Sequence, residues 1–581
     1  MKKFSFLALA LAAGLMMGCS DEVGNDGGGS TTGSATVGEG YMSVAINLPT
    51  TTGDAPTAAM QGTRGSVDGF DDGAASEYAV NDGQLIIFGG NTEGDATLQA
   101  IYTLNVTGFA TDADDQITTS KTIPVNTTTM NGPNFFAAVV LNANGQDLGL
   151  TVGTTTLAQF EEKYVEAAEA DLRKTGFMMT NSPLANVAGG SSSKAPSSVT
   201  ILKYPSFDSS KIKTTAAAAE ADPAANIYVE RIHAKVTLSQ GTINTYPEGF
   251  STMEVDSWAL DNTNKSSYLF RNAKAGDAWW AYKSTKTSSP TPEYRFIEDE
   301  EVKTGAGLYR TYWGTDRNYN TAWSAGTFNN VSATTTYVKP VTTNPLYCLE
   351  NTFDTDHQTV NHTTAAIVKV KFNKGNDFYI LNGDKTTINT KETVENLVKE
   401  QCQNQLEALK AEYFAGTIDG DDYTVTLSDE AGKVSVESIT LGECPDVTTW
   451  TKTKEELQAA ITAYIATING DLDAQLYKGG IAYYRVLIKH FGDKDTPWAD
   501  TDKVDNDSYP DVKDGAKGEN QWLGRFGVVR NNWYDLSITG ARELGSATVP
   551  DVTNNYDDDV RNLAVTINIL SWAKRSQSVI L

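Results

Sequence analysis

Four histidines, His233, His357, His362 and His490, are the side chains best suited to holding a metal or moving a proton, and their spacing supports neither use. No HExxH or other metal spacing occurs, and His357 and His362 share a polar stretch that reads as solvated loop. The chain carries no GxSxG elbow, no P-loop, no dinucleotide fingerprint and no recognisable Ser, His and Asp arrangement. Between positions 492 and 515 lie Asp493, Asp495, Asp500, Asp502, Asp505, Asp507 and Asp511. Hard oxygen ligands at alternate positions suit Ca²⁺, but the central glycine and terminal glutamate of an EF-hand loop are missing, so a solvated acidic hairpin loop is expected. Trp279 and Trp280 have the faces to stack on sugar rings, although such pairs more often pack in a core or at an edge. The expectation is therefore no catalytic residue, no metal, no cofactor and no enzyme.

Covalent chemistry is better placed at the N-terminus. Lys2 and Lys3 precede an apolar run that ends at Met17, small Gly18 and Cys19, the pattern of a secretory signal too short to be a lasting membrane span. A cysteine just after a small residue at the cleavage position resembles the lipobox of bacterial lipoproteins, with Cys19 as the lipidated thiol. Ser20, Asp21 and Glu22 resemble the acidic tag that directs some Bacteroidales lipoproteins to the outer cell surface. The remaining thiols are Cys348, Cys402 and Cys444, too few for a disulfide scaffold. Cys402 and Cys444 fall in one helix-containing stretch, where a disulfide and two free buried thiols both stay open.

A third chemical feature is a scarcity. Between Lys3 and Lys121 the only basic residue is Arg64, within QGTRGSVDG, and loops of small polar residues are preferred sites of nicking. An arginine-specific or trypsin-like protease would have one target there, the Arg64–Gly65 bond; a lone surface arginine is the alternative.

The elements around these residues are mostly strands. Residues 1–18 read as signal peptide and 19–40, rich in Gly, Ser and Thr, as a flexible tether. Residues 41–49 then alternate: Met42, Val44, Ile46 and Leu48 point one way, and Ser43, Ala45 and Asn47 the other, as in a half-buried strand. Strand-like stretches follow to about residue 150, and Leu157, Phe160, Tyr164 and Leu172 recur near a helical period over 155–174. Residues 216–225 read as an interdomain connection, although short Ala runs can also be helical. A second strand-rich region runs from about 226 to the end, interrupted by a helical insertion at about 385–475 with amphipathic helices near 390–413 and 453–468. The fold class expected is mainly β, two antiparallel β-sandwich domains at 65–225 and 226–581 with a few helices.

Composition bounds the partners. At 581 residues the chain is too long for one ordinary core, and 40% apolar residues suffice for real ones. The formal charge of -27 and pI near 4.6 argue against nucleic acid or an anionic membrane as partner. Beyond the signal no apolar run approaches the length of a span, so membrane contact is expected only through the lipid.

Taken together, the lipobox with its acidic tail, YMSVAINLP, VERIHAKV, WALDNTNKSSYLF, YCLENTF, YYRVLIKHF, VVRNNWYDLSI and the terminal VTINILSWAKRSQSVIL resemble, in order and over nearly the full chain, the fimbrillins of Bacteroidales type V pili, especially the longer minor-fimbria shaft subunit. The insertion departs from that pattern. The resemblance implies transthyretin-like sandwiches, lipidation at Cys19, export to the outer membrane and cell surface, and cleavage at Arg64 with Gly65 opening the mature chain. It further implies removal of the strand carrying Met42, Val44, Ile46 and Leu48. The vacated groove would be filled by a neighbour's C-terminal strand, residues 562–581, through Leu563, Val565, Ile567 and Ile569. Partners would be copies of the same chain, anchor and tip subunits, and the processing protease, and the mature form would support adhesion from fimbriae.

The residues themselves carry the same idea. Val44-Ala45-Ile46-Asn47-Leu48 and Val565-Thr566-Ile567-Asn568-Ile569 alternate identically, so either would present its apolar set to one buried surface. Two other functions stay open at the level of sequence: a glycan-binding surface lipoprotein of a nutrient-uptake system, and a surface hydrolase.

Overall fold

The computed structural model describes residues 39–48, 74–109, 118–166, 168–188, 199–273, 282–283, 292–293, 296–297, 307–319, 328–354, 357–490, 523–524, 526–551 and 563–571. The chain is mainly β, with helices confined to short turns and one insertion.

The first sheet is built from β1 (Glu39–Asn47), β2 (Gly83–Gly90), β3 (Thr97–Thr103), β4 (Thr118–Asn126), β5 (Asn134–Leu141), β6 (Met179–Asn181) and β7 (Ala225–Arg231), in the order β3-β2-β5-β6-β7-β1-β4, with the short strand Ser206–Asp208 paired to β5 off this path. Neighbours are antiparallel except β1 and β7, which run parallel. The apolar runs in β2 and β5 arise because both of their faces are buried. Leu85, Ile87, Phe135, Ala137 and Val139 join the β1 side chains in one core. Ile86, Phe88, Phe136, Ala138 and Val140 join a second core with Leu157, Phe160, Leu172 and Phe270. Because strands from both ends of the sheet share the first core, the sheet curls over itself.

Two expectations are corrected here. Over 155–174 there is no long helix: Thr156 caps the single turn Leu157–Glu161, and Tyr164–Glu166 becomes a strand paired with Ser266–Tyr268. Val165 is buried and Tyr164 is exposed, the alternation of a strand, so pairing with a distant segment has overridden the local helical period. Residues 216–225 are not a connection either. Thr215 caps helix α1 (Ala216–Ala221), which buries Ala216 and Ala219 against β1 and β4, and β7 follows as an internal strand of the sheet. The chain leaves the first sheet only at Ile232.

The second unit is a sandwich of two sheets. Its strands are β8 (His233–Thr245), β9 (Glu254–Asp261), β10 (Leu346–Leu349), β11 (Ala365–Lys371), β12 (Ile481–Leu487), β13 (Asn532–Ala541) and β14 (Leu563–Ser571). One sheet has the order β10-β8-β13-β14 and the other β9-β11-β12. Ala234, Val236, Leu238, Tyr534, Leu536 and Ile538 meet Trp258, Val368, Val370, Tyr484 and Val486 between them. β14 is the last strand of its sheet, antiparallel to β13.

The insertion holds α2 (Lys391–Tyr413) and α3 (Lys454–Asp471), capped by Thr390 and Thr453, close to their expected places. Val394, Val398, Cys402 and Leu406 fall on one face of α2, at the spacing of a single stripe. They pack with Leu457, Ile461 and the hairpin Tyr423–Leu427/Val436–Leu441 into a core of their own. Cys348, Cys402 and Cys444 are buried free thiols, so the disulfide that was open is not formed. Among the described residues no helix is long and apolar enough to cross a membrane.

Candidate functional site

The site is the slot that β1 occupies. On one side β4 pairs with it from Glu39↔Asn126 to Asn47↔Thr118, and on the other β7 pairs from Val44↔Ala225 to Asn47↔Tyr228. Tyr41 and Lys213 exchange backbone hydrogen bonds of 2.8 Å, and Ala224 N–H donates to the Ser43 carbonyl at 2.7 Å. Gly40 is required by closeness: a Cβ there would stand 2.6 Å from Ile212 Cγ2.

Met42, Val44 and Ile46 have no exposure and Leu48 has 4%; all four lie in the first core, as their alternation predicts. Expectation and structure part on the other face. Ser43, Ala45 and Asn47 are buried too, with α1 packed against the strand, so β1 is fully rather than half buried. Asn47 uses its amide: Nδ2 donates to the Ile227 carbonyl at 3.1 Å and to Asn226 Oδ1. The Ser43 hydroxyl is buried with no hydrogen-bond partner. An unpaired buried hydroxyl costs about 1–3 kcal/mol.

The second half of the site is β14, whose register on β13 sets Ala541↔Leu563, Ile538↔Val565, Leu536↔Ile567 and Tyr534↔Ile569. Comparing the two strands over their whole length extends the match to seven positions: Met42-Ser43-Val44-Ala45-Ile46-Asn47-Leu48 against Leu563-Ala564-Val565-Thr566-Ile567-Asn568-Ile569. Cys19, Arg64 and Gly65 lie outside the described residues, as do Trp279, Trp280 and the acidic stretch 493–511.

Sequence reasoning missed what joins the two halves. Downstream of Arg64, Glu77 is buried and pairs with Lys235 of β8 at 2.9 Å and with the Tyr347 hydroxyl, while its carbonyl accepts from Arg231 Nε at 2.6 Å. Burial raises the Glu77 carboxyl, but Lys235 and Tyr347 outweigh it and leave the pKa below the ordinary value. Beside it lies a fully buried ionic cluster. Arg271 pairs with Glu230 of β7, and Arg271 and Arg530 lie 3.5 and 3.3 Å from Glu350. Arg530 also donates to the carbonyls of Leu269 and Tyr268 at 2.9 and 2.8 Å. Burial, opposed by the two arginines, pushes the Glu230 pKa up. Nothing in the local sequence signals this cluster, because its members come from four separate segments, the nearest two of them 41 residues apart.

The histidines are structural rather than solvated. His362 is buried, accepts or donates at Nδ1 with Thr359, and packs edge-on to His357 with ring centroids 5.0 Å apart, which corrects the loop expectation for it. His233 is fully buried, and burial holds its pKa down at about 3 despite a contact to the Glu169 carbonyl. Among the described residues no group of three or more His, Cys, Asp or Glu stands where a metal could be held.

The geometry defines a two-unit β protein in which a buried N-terminal strand and a C-terminal edge strand share one sequence pattern. Residues 508–578, which take in β13 and β14, match the family described as "Major fimbrial subunit protein type IV, Fimbrillin, C-terminal". The resemblance to fimbrillins is thereby borne out, and it supports a fimbrial-subunit role. No curated protein sequence matches the chain. Among solved structures, a candidate cell adhesion protein from Parabacteroides distasonis is 11% identical, with 93% of this chain and 99% of that one covered at a TM-score of 0.36. A fimbrilin from Porphyromonas gingivalis is 14% identical, with 92% and 99% covered at a TM-score of 0.35. Overlaps this loose do not define a shared fold.

Proposed function

We propose that the chain is a structural subunit of a surface fimbria that polymerises by donor-strand exchange and supports adhesion. It is exported as a lipoprotein through Cys19 to the outer membrane and cell surface, and an arginine-specific or trypsin-like protease cuts it between Arg64 and Gly65. Strand β1 then leaves the slot between β4 and β7, and residues 563–569 of another copy enter it. Its assembly partners are copies of itself and the anchor and tip subunits of the fimbria, and its two sandwich domains divide at Ile232, where β7 gives way to β8, rather than at 225/226.

The observation that carries this reading is the seven-position match between the strand buried in the slot and the strand at the edge of the second sheet. The energetics lean the same way. Four aliphatic side chains seated at roughly 1.5–3 kcal/mol each give a long-lived joint even after ordering costs. Where β1 buries the unpaired Ser43 hydroxyl the incoming strand brings the methyl of Ala564, while Thr566 brings a hydroxyl to the place of Ala45, so these two exchanges offset. An emptied slot exposes two ladders of backbone groups, the template for strand addition. Glu77, held by Lys235 and Tyr347 downstream of the cut, keeps the mature N-terminal segment fixed to the second sandwich while β1 departs.

Treating the purified chain with an arginine-specific protease should give SDS-resistant ladders, and truncation after Tyr556 should leave monomers. Ordinary polymers from the truncated chain would refute the C-terminal donor.

A further inference from the structure

We propose that Asn568 sets the register of the intersubunit joint by taking the place of Asn47 against Asn226 and the Ile227 carbonyl; this rests on the strand-exchange reading above. The apolar face of the incoming strand cannot fix the register alone. A one-residue slip turns the whole apolar set to the wrong face. A two-residue slip one way puts Arg561 where Met42 sits, burying a charge in the core. The two-residue slip the other way is a real competitor. It seats Val565, Ile567 and Ile569 in the places of Met42, Val44 and Ile46, and puts small Ser571 where Leu48 lies.

The opposite face separates these two states. In the matched register Asn568 coincides with Asn47, whose amide reaches the Ile227 carbonyl at 3.1 Å and Asn226 Oδ1. In the slipped register Leu570 arrives there instead, and Asn568 moves about 7 Å along the strand to the place of Ala45. A single polar residue in an otherwise aliphatic seam is an established way to select one alignment among several of similar apolar fit. Losing both hydrogen bonds should lower the matched-to-slipped ratio by about tenfold or more.

The pairing of β1 with β4 supplies the ruler, since Ala45 faces Ser120 and Ser43 faces Thr122. Full-length chains carry Thr566→Cys together with either Ser120→Cys or Thr122→Cys, are cleaved with an arginine-specific protease, and are treated with a short thiol-to-thiol crosslinker. Cys348, Cys402 and Cys444 are buried, and Cys19 leaves with the excised piece. Because the reporter replaces Thr566 in every chain, the comparison isolates position 568. With Asn568 present, intersubunit crosslinks should form through position 120 and not 122. With Asn568→Val, ladders should still form and the ratio of crosslinks at 122 to those at 120 should rise about tenfold. Crosslinks confined to position 120 in the Asn568→Val chain would overturn the register role, and so would a complete loss of ladders in that chain alone, which would make the amide a docking requirement. If the chain retaining Asn568 gives no ladders after cleavage, the strand-exchange reading itself fails.

Discussion

Ile46 of β1 and Ile227 of β7 face each other across a parallel ladder, and neither has any exposed surface. The strand that would leave and the strand that would receive its replacement are thus one packed pair. β7 continues through Ile232 into β8, which pairs parallel with β13, the neighbour of β14. One run of chain, β7 into β8, therefore reaches from the slot to the sheet that holds the candidate donor strand, and Glu230 at its centre pairs with Arg271.

Ile46→Ala in the uncleaved chain should lower unfolding free energy by about 2–5 kcal/mol in urea titrations, because the surrounding core closes only partly over the lost atoms. Ile567→Asp should spare the fold of the monomer, measured by circular dichroism, and abolish ladders, since it brings a charge into the same slot. Polymers of normal length from Ile567→Asp would show that residue 567 does not enter the core of the neighbour.

N-terminal sequencing of assembled surface material should begin at Gly65, and Arg64→Ala should leave uncut monomers. Material that still contains Tyr41 would contradict removal of β1. Upstream of that step, labelled palmitate should enter the unsubstituted chain and not Cys19→Ser.

Arg271→Met should be among the most damaging single changes, at about 3–5 kcal/mol, because it strands the buried Glu230 carboxylate without its nearest partner. Replacing Glu230 with Gln in the same chain should recover part of the loss. A double variant no more stable than Arg271→Met alone would mean that the arginine acts through packing and its hydrogen bond to the Thr311 carbonyl rather than through charge.

Acid should weaken the fold as soon as the pH falls below that of an ordinary histidine. His233 is held neutral with a pKa near 3, against about 6.5 when unfolded, so its contribution is complete above pH 6.5 and is lost as the pH falls toward 3. His362, lowered to about 4 by burial and by His357, adds in the same direction. Between pH 6.5 and 4.5 the fully buried His233 should remove on the order of 2–3 kcal/mol, and His233→Gln should flatten that part of the profile. Glu77 acts in the carboxylate range: its lowered pKa keeps its contribution above the ordinary glutamate value and loses it below. An unchanged slope between pH 6.5 and 4.5 in His233→Gln would assign the acid sensitivity elsewhere.

Local pattern was enough for some elements and not for others. The alternation at Met42, Val44, Ile46 and Leu48 gave both the strand and its core face, and the amphipathic pattern over 390–413 gave a helix, whose buried stripe is Val394, Val398, Cys402 and Leu406. Both signals lie within a few turns or residues of chain, where backbone geometry alone ties side-chain direction to sequence. The tertiary structure decided what that geometry leaves open. It buried Ser43, Ala45 and Asn47, turned Tyr164–Glu166 from a helical turn into a strand beside Ser266–Tyr268, and gathered Glu230, Arg271, Glu350 and Arg530 into one buried cluster. These outcomes depend on partners brought from far along the chain, and their energies exceed the tenths of a kcal/mol by which local propensities differ. The sequence by itself determined the apolar faces of β1 and of the two insertion helices; only folding decided which further residues would be buried and which distant residues would stand against them.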